Sequence, residues 1–510
     1  MWEWVAGPFQ ALPDTLLSLL VARSFLAGCD WATAVLVRRN STTAVTPRCP
    51  MSFMTPRLFR TPLSGAGFLL LLTACSPDDA TEPPSTASVS ETSTNALADE
   101  VRALTEGRNI GPLTRPATVR PPLVVLGQAL AFDRILSGNK DISCMTCHLP
   151  ALGTGDGRSL SIGQGATGLG PARVHPTGQF IPRNAPPAFN LFANNPLFWD
   201  GRIAIDAQGR LKTPAGERIT AAMRRAFEFG PLSALPLFPV LSREEMRAAT
   251  GNDLADIKDK SPQQVWAALM VRLGGIPEYR RMFEAAYPGT SFDDMTFGHA
   301  SNAIAGFLID RFAFNNSPWD RFLAGDDGAM SDLELRGAKD FMSARCSICH
   351  NGPAFTDNKF HNVAVAQIGP GKGDGPDGRD DFGRMRVSGL AAERYAFRTP
   401  PLRNVALSGP WGHDGAFTDL RAFVDHYSES DIKLRAFTTS HLELLLQNTL
   451  LATAEQILAT RDPLLQGVFF PPEVVDEVTA FMGALTDPAA LDLSDRVPAT
   501  VPSGLTVDGR

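Results

Sequence analysis

The chain has 510 residues, which is enough for two or three domains of ordinary size. Its composition, with 44% hydrophobic and 20% charged residues, is that of a folded globular protein. The formal net charge of −7, without a basic stretch interleaved with aromatic residues, argues against nucleic acid as a partner. Four of the seven cysteines fall in one repeated pattern and three lie before it, so no disulfide framework is indicated for the main body.

The first 74 residues have the features of a targeting region. Two arginines precede a short apolar run over 63–74, which is too short for a transmembrane helix. The run ends in Leu-Thr-Ala before Cys75, which resembles a bacterial lipobox, with Cys75 as the lipidation site. We therefore predict a lipoprotein signal peptide over 51–74, behind an over-extended start or leader over 1–50. An ordinary secretory signal is the alternative, and either one places the protein in the periplasm.

A polar segment follows the predicted lipidation site. Residues 76–98 are rich in Ser, Thr, Pro, Asp and Glu and have almost no large apolar side chains. Such a composition cannot bury a core. We predict a flexible tether over 75–113, through which the lipid anchor would hold a soluble body above a membrane.

Two strings of the form Cys-x-x-Cys-His mark the rest of the chain, at 144–148 and 346–350. Two thiols at this spacing add to the two vinyl groups of one haem, and the histidine is then placed to bind the iron. A structural zinc site would need four nitrogen or sulfur ligands, and nothing nearby completes such a set. The pattern predicts two covalently bound haem c groups, attached through Cys144, Cys147 and His148 and through Cys346, Cys349 and His350.

Helical periodicity surrounds both strings. Four helices are predicted, over 123–132, 302–314, 333–345 and 472–485. Ser331 and Glu334 form the sequence pattern of a capping box at the start of the third. A glycine-rich loop over 153–171 is predicted to lie close to haem, and a Gly/Asp/Pro loop over 369–383 is predicted to be a solvated turn region.

Four further motifs carry a resemblance to a known family. They are RNAPP at 183–187, FWDGR at 198–202, FRTPPLRN at 397–404 and HDG at 413–415. With the two haem strings they make the region from about 121 to 485 resemble the bacterial di-haem cytochrome c peroxidases, a family that includes the MauG-type enzymes. The resemblance implies a mainly α fold with two cytochrome c-like domains.

The implied domain order has a peroxidatic haem domain over 114–325 and an electron-transfer haem domain over 326–490. A Ca²⁺ site is expected at their interface, with Asn184, Ser408 and Pro410 carried over as its ligands. Ser408 is a mild departure, because the family often has Thr there. Residues 491–510 are predicted to be a disordered tail.

Two residues of the first domain are carried over as catalytic. Trp199 corresponds to the tryptophan that lies between the two haems and supports electron transfer. Glu245 corresponds to the distal acid that moves a proton during peroxide cleavage, with Glu244 as the alternative. Ser242 followed by these acids also fits an ordinary helix N-terminus, so the catalytic and the capping interpretations stay open.

The second iron needs a sixth ligand, and the sequence offers two neighbours for it. Ordinary peroxidases of the family have Met twelve residues after the HDG string, and here that position is Tyr427. MauG-type members have a tyrosine ligand at this haem. The adjacent His426 is the rival, since histidine is in general the commoner haem ligand.

The resemblance implies an oxidoreductase. The first hypothesis is a di-haem peroxidase that reduces hydrogen peroxide with electrons from a small periplasmic donor, a cytochrome c or a cupredoxin. The second is a MauG-like enzyme that oxidises a residue of a partner protein, which Tyr427 favours. The third is a non-enzymatic, lipid-anchored electron-transfer protein. Family members often dimerise, so a homodimer is a further expectation.

Overall fold

The computed structural model describes residues 21–24, 31–34 and 87–510, with side chains from residue 96 onward. Met1–Pro83 and Pro84–Arg510 form two separate units. In the first unit, strand β1 (Val21–Ser24) pairs antiparallel with strand β2 (Trp31–Ala34). The predicted signal peptide and Cys75 lie outside the described residues, as does most of the predicted leader.

The unit Pro84–Arg510 is mainly helical, as predicted. Its helices are α1 (Ala87–Gly107), α2 (Pro121–Phe132), α3 (Cys144–Cys147), α4 (Ala221–Arg225), α5 (Pro231–Ala234), α6 (Pro262–Gly274), α7 (Pro277–Ala286), α8 (Phe297–Arg311), α9 (Pro318–Leu323), α10 (Asp332–Ser343), α11 (Cys346–Cys349), α12 (Met385–Ser388), α13 (Leu420–His426), α14 (Ser430–Ala436), α15 (Ala454–Leu458) and α16 (Pro472–Ala484). Two short antiparallel pairs complete it, β3 (Ala204–Ile205) with β4 (Leu211–Lys212) and β5 (Phe360–His361) with β6 (Phe397–Arg398). Within the described part of the chain, no helix combines the length and apolarity of a membrane span.

The four predicted helices are confirmed as α2, α8, α10 and α16. Ser331 accepts from the backbone N–H of Glu334, whose carboxylate accepts from the N–H of Ser331, so the predicted capping box starts α10. In each half a glycine lets two of these helices touch. A Cβ at Gly127 would lie 1.9 Å from the carbonyl oxygen of Ala303, and one at Gly337 would lie 1.8 Å from that of Glu477.

Two hydrophobic cores form around these helix pairs. The first lies between α2 and α8 and includes Leu123, Leu130, Phe132, Ala303 and Phe307, all fully buried. The second lies between α10 and α16 and includes Trp319, Leu335, Phe341, Phe355 and Phe481. Each core backs one haem string, because Cys144 and Cys147 pack against the first core and Cys346 packs against the second.

The predicted tether over 75–113 is wrong from α1 onward. Ala98 and Val101 are fully buried and Ile110 is 2% exposed, all within the second core. Arg102 also pairs with Asp327 beside that core. The polar composition of residues 76–98 hid the start of this helix, although Leu97 and Ala98 at the end of that segment pack on the second core.

The prediction of a disordered tail over 491–510 is also wrong. Leu493, Val501 and Val507 are at most 8% exposed and belong to the first core. The segment is also held by polar contacts, since Ser503 Oγ donates to Asp133 at 2.6 Å. The two ends of the unit thus cross over, the N-terminal helix packing on the second core and the C-terminal segment on the first.

The Gly/Asp/Pro loop over 369–383 is solvated only in part. Its tip over 376–379 is exposed, but Asp380 and Asp381 are each 2% exposed. Asp381 accepts two hydrogen bonds from Arg183, at 2.7 and 2.8 Å. The loop therefore joins the two halves, because Arg183 belongs to the RNAPP motif of the first.

Candidate haem sites

The first haem string forms a short helical turn with its histidine at the end. Ser143 precedes α3, and its N–H donates to Thr146 Oγ1 at 2.8 Å. The N–H of His148 donates to the carbonyl of Cys144 at 3.2 Å, which closes the turn. Both thiols of this turn are free and partly buried.

The second string has the same local structure. The N–H of His350 donates to the carbonyl of Cys346 at 2.9 Å. Ser347 Oγ donates to the carbonyl of Met342 at 3.0 Å, which fixes the turn to the end of α10. The thiols of Cys346 and Cys349 are free as well.

Both histidines are held in the form that binds iron. Nδ1 lies 3.2 Å from the carbonyl oxygen of Thr154 in His148 and 3.0 Å from that of Phe355 in His350. A carbonyl only accepts, so Nδ1 donates and the lone pair is left on Nε2. Burial lowers the pKa of His148 and lowers that of His350 to about 4, so both rings are neutral, as ligands must be.

A cavity opens beside each string. The first contains about 1360 Å³ of empty space and the second about 970 Å³. Both figures include space that is open to solvent. Each cavity is lined by both cysteines and the histidine of its string together with apolar side chains. The residues thus fit two covalently attached haem groups.

Trp199 lines both cavities, as does Arg398. Its indole N–H donates to the carbonyl oxygen of Asn184 at 3.0 Å, which fixes the ring. An aromatic side chain shared by two cofactor cavities is placed to connect them.

Glu245 lines the first cavity, whereas Glu244 lines a separate surface hollow. The two side chains diverge from one turn, since Arg243–Arg247 forms a single π-helical turn and neighbouring residues point to different sides of a helix. Ser242 caps this turn and accepts from the N–H of Glu245 at 3.2 Å. Ser242 therefore caps the turn while Glu245 lines the cavity, so the two interpretations are compatible. Of the glycine-rich loop predicted to lie close to haem, only Ser161 lines this cavity, among the residues that the structure describes.

The charge of Glu245 is influenced by burial and by two cations in the same cavity. Burial raises the pKa of Glu245 above its ordinary value of 4.5, while Arg202 and Lys372 act in the opposite direction. Arg202 belongs to the FWDGR motif, and Lys372 comes from the 369–383 loop of the second half. Lys372 was missed by sequence reasoning, because a lone lysine among glycines gives no signal of a buried position.

The side chain of Tyr427 faces the second cavity and that of His426 does not. Tyr427 lies at the end of α13 and lines the cavity with His350. His426 is 3% exposed, and its Nε2 lies 2.9 Å from the carbonyl oxygen of Val363. Val363 lines the cavity, but His426 does not. The structure thus separates the two rival ligands by where their side chains point.

The chain is similar in sequence to known proteins. The protein-family model for di-haem cytochrome c peroxidase matches residues 121–328. The methylamine utilization protein MauG of Methylorubrum extorquens is 30% identical over 318 residues, which cover 62% of this chain and 70% of that protein. The cytochrome c551 peroxidase of Pseudomonas aeruginosa is 31% identical over 300 residues, covering 58% and 68%. The chain belongs to the di-haem cytochrome c peroxidase family.

Solved structures share the fold. A MauG-like protein associated with microbial copper homeostasis has a TM-score of 0.52 at 23% identity, over 75% of this chain and 95% of that one. The diheme peroxidase BthA of Burkholderia thailandensis has a TM-score of 0.51 at 20% identity, over 78% and 91%. Membership of the di-haem cytochrome c peroxidase family makes the protein an oxidoreductase with two haem c groups, of the peroxidase or the MauG type.

A charged histidine borders the second cavity of this family member. His361 lies 2.5 Å through Nδ1 from Asp462 and 3.1 Å through Nε2 from Asp357. Burial favours the neutral ring, but hydrogen bonds to Asp357 and Asp462 act against it and raise the pKa of His361 above its ordinary value of 6.5. Cys349, Asp357 and His361 have their ligand atoms within 4.8 Å of one another, but Cys349 is required for haem attachment. We interpret His361 as a structural cation.

The three predicted calcium ligands have oxygen atoms to offer. The side-chain N–H groups of Asn184 donate to the carbonyls of Arg158 and Ser159, at 3.0 and 3.2 Å. Among residues 87–510, no hydrogen bond ends on its side-chain oxygen or on the backbone oxygens of Ser408 and Pro410. The N–H of Asn184 donates to the carbonyl of His413 at 2.9 Å, so the segment after Pro410 lies alongside Asn184. Unpaired oxygens of this kind suit Ca²⁺.

Proposed function

We propose that this protein reduces hydrogen peroxide to water at the first haem site, with electrons relayed through the second. The asymmetry of the two cavities is the observation that carries the proposal. Among the described residues, the lining of the first cavity has His148 as its only histidine and contains no tyrosine, whereas the lining of the second includes both His350 and Tyr427. His148 would hold the first haem, and the space beside Glu245 in the same cavity would be left for peroxide.

Glu245 handles the proton in this proposal. The bound haem supplies the redox chemistry of O–O cleavage. Glu245 accepts a proton from the incoming peroxide and returns it to the departing oxygen, which leaves as water. The positive charges of Arg202 and Lys372 favour the carboxylate form that the first of these transfers needs. The burial of Glu245 raises its pKa, which suits the second.

Trp199 connects the two sites. Its ring lines both cavities and is fixed by the bond to the Asn184 carbonyl. We assign to it the passage of electrons from the second site to the first. The electrons come from a small periplasmic donor, a cytochrome c or a cupredoxin.

A titration of the purified di-haem protein with peroxide tests this function. The ferric spectrum should contain one high-spin and one low-spin haem. Peroxide should oxidise the protein, and a small cytochrome c or cupredoxin should return it to the ferric state with turnover. In Trp199→Phe the oxidation of the second haem should slow while peroxide still reacts at the first. Two low-spin haems that do not react with peroxide would instead support a non-enzymatic electron carrier.

A MauG-like activity is the second candidate, favoured by the position of Tyr427. A phenolate oxygen is a hard anionic ligand that stabilises the more oxidised states of iron, unlike a Met thioether. An enzyme of this kind would hold its oxidising equivalents until a Trp or Tyr of a partner protein takes them. In the titration above, slow decay of the oxidised protein with small donors present would favour this candidate.

We also propose a Ca²⁺ ion held by Asn184, Ser408 and Pro410. Their unpaired oxygens support this, as does the contact between the Asn184 segment and the residues after Pro410. Removal of calcium with a chelator should slow electron transfer between the haems, and added Ca²⁺ but not Mg²⁺ should restore it. Metal analysis that found no calcium in active protein would contradict the site.

The proposed location is periplasmic, with a lipid anchor at Cys75. Residues 72–75 support the anchor, and covalent haem attachment outside the cytoplasm agrees with it. Membrane contact is through the lipid alone. Recovery of Cys75→Ser in the membrane fraction would contradict this. The proposed homodimer is a matter for sedimentation measurements on the purified protein.

A further inference from the structure

The C-terminus of the chain reaches the first haem-attachment turn. Asp508 is fully buried. Its Oδ2 accepts from Ser143 Oγ at 3.0 Å and from Thr146 Oγ1. Its Oδ1 accepts from Arg134, with Nε at 3.1 Å. Ser143 and Thr146 belong to the turn that carries both thiols of the first haem.

Asp508 determines how the hydroxyl of Thr146 is used. A hydroxyl has one hydrogen, and here it points to Asp508. The lone pairs of Thr146 Oγ1 then face the N–H of Ser143, which donates to it at 2.8 Å. Ser143 and Thr146 are at most 1% exposed, so water has no access to replace the carboxylate. Ser143 also lines the first cavity, so the order of this turn is transmitted to the haem site.

Asp508 also pairs with a cation, Arg134, while it contacts the attachment turn. Arg134 follows α2 and is 22% exposed, whereas its partner Asp508 is 0% exposed. Asp508 is shielded from water and Arg134 is largely shielded, so the removal of either partner leaves a charge that water screens only in part. The pair is therefore close to neutral only while both members are present.

We propose that Asp508 is a positioning residue for the first haem, brought there by the docked C-terminal segment. It orients the attachment turn through Ser143 and Thr146 and neutralises Arg134. The segment reaches this place because Val501 and Val507 are buried in the first core and Ser503 is bonded to Asp133. The inference needs the two haems but not the proposed peroxidase reaction.

The test is a potentiometric titration of the intact di-haem protein. Asp508→Asn keeps the shape and an acceptor oxygen but removes the charge. The unbalanced Arg134 should then raise the reduction potential of the first haem and leave that of the second unchanged. Arg134→Gln should lower the first-haem potential, and the double variant should return close to the wild-type value. Asp495→Asn is the control, because Asp495 lies in the same segment and is 63% exposed.

The first haem is identified in these titrations by its absence from a variant with Cys144 and Cys147 both changed to Ser. Shifts of the same sign in the two single variants would overturn the proposal, as would unchanged potentials or equal shifts at both haems. If Asp508→Asn fails to accumulate with two haems by intact mass, Arg134→Gln decides alone. A lowered first-haem potential in it supports the proposal and an unchanged one rejects it.

Discussion

Replacing Glu245 with Gln should slow the reaction with hydrogen peroxide by a factor of about 10² to 10⁴, the usual contribution of a positioned acid or base. The amide keeps the volume of the side chain but cannot carry the proton between the two oxygens. The attachment turn and His148 are untouched, so the ferric spectrum should stay the same. Stopped-flow mixing with peroxide measures the rate.

The pH dependence provides a second readout of the same residue. Glu245 must be a carboxylate to accept the first proton, so the rate should fall as the pH drops through the pKa of Glu245. Burial raises this pKa, so the midpoint should lie above the ordinary 4.5. The acid limb should disappear in Glu245→Gln. Glu244→Gln is the matched control, and an equal loss of rate in it would contradict the assignment.

Replacing Tyr427 with Met should raise the reduction potential of the second haem by a sizeable part of the roughly 0.8 V that axial ligands span. The thioether favours reduced iron, whereas the phenolate favours oxidised iron. The variant should also hold oxidising equivalents for a shorter time after peroxide is added. A potentiometric titration followed in the visible spectrum measures both haems at once.

The matched control for this ligand is the neighbouring histidine. His426→Gln keeps a donor for the carbonyl of Val363 and should leave the potential of the second haem unchanged. A large shift in His426→Gln together with none in Tyr427→Met would transfer the ligand role to His426.

Local patterns predicted much of this protein correctly. A Cys-x-x-Cys-His string specifies its own turn, because the thiol spacing and the closing hydrogen bond from His to Cys lie within five residues. The capping box at Ser331 is equally local, and so are the periodic helices. These features depend on neighbours in the sequence, and one chain is enough to find them.

Features that depend on distant contacts were missed. Lys372 lines the first cavity from a loop that Arg183 holds through Asp381, a partner 198 positions away in sequence. The segment after residue 490 packs on a core that is formed mainly by residues 119–314. Its neighbours in sequence therefore do not reveal where it packs. The choice between Glu244 and Glu245 likewise needed the geometry of the π-helical turn.

The crossing of the two chain ends has a consequence for how the molecule can be divided. A cut between α8 and α9 would not release two free halves. The N-terminal piece would still pack on the second core through Ala98 and Val101. The C-terminal piece would still pack on the first core through Val501 and Val507. Neither half produced alone would have a complete hydrophobic core. The two haem domains are therefore expected to fold and unfold together.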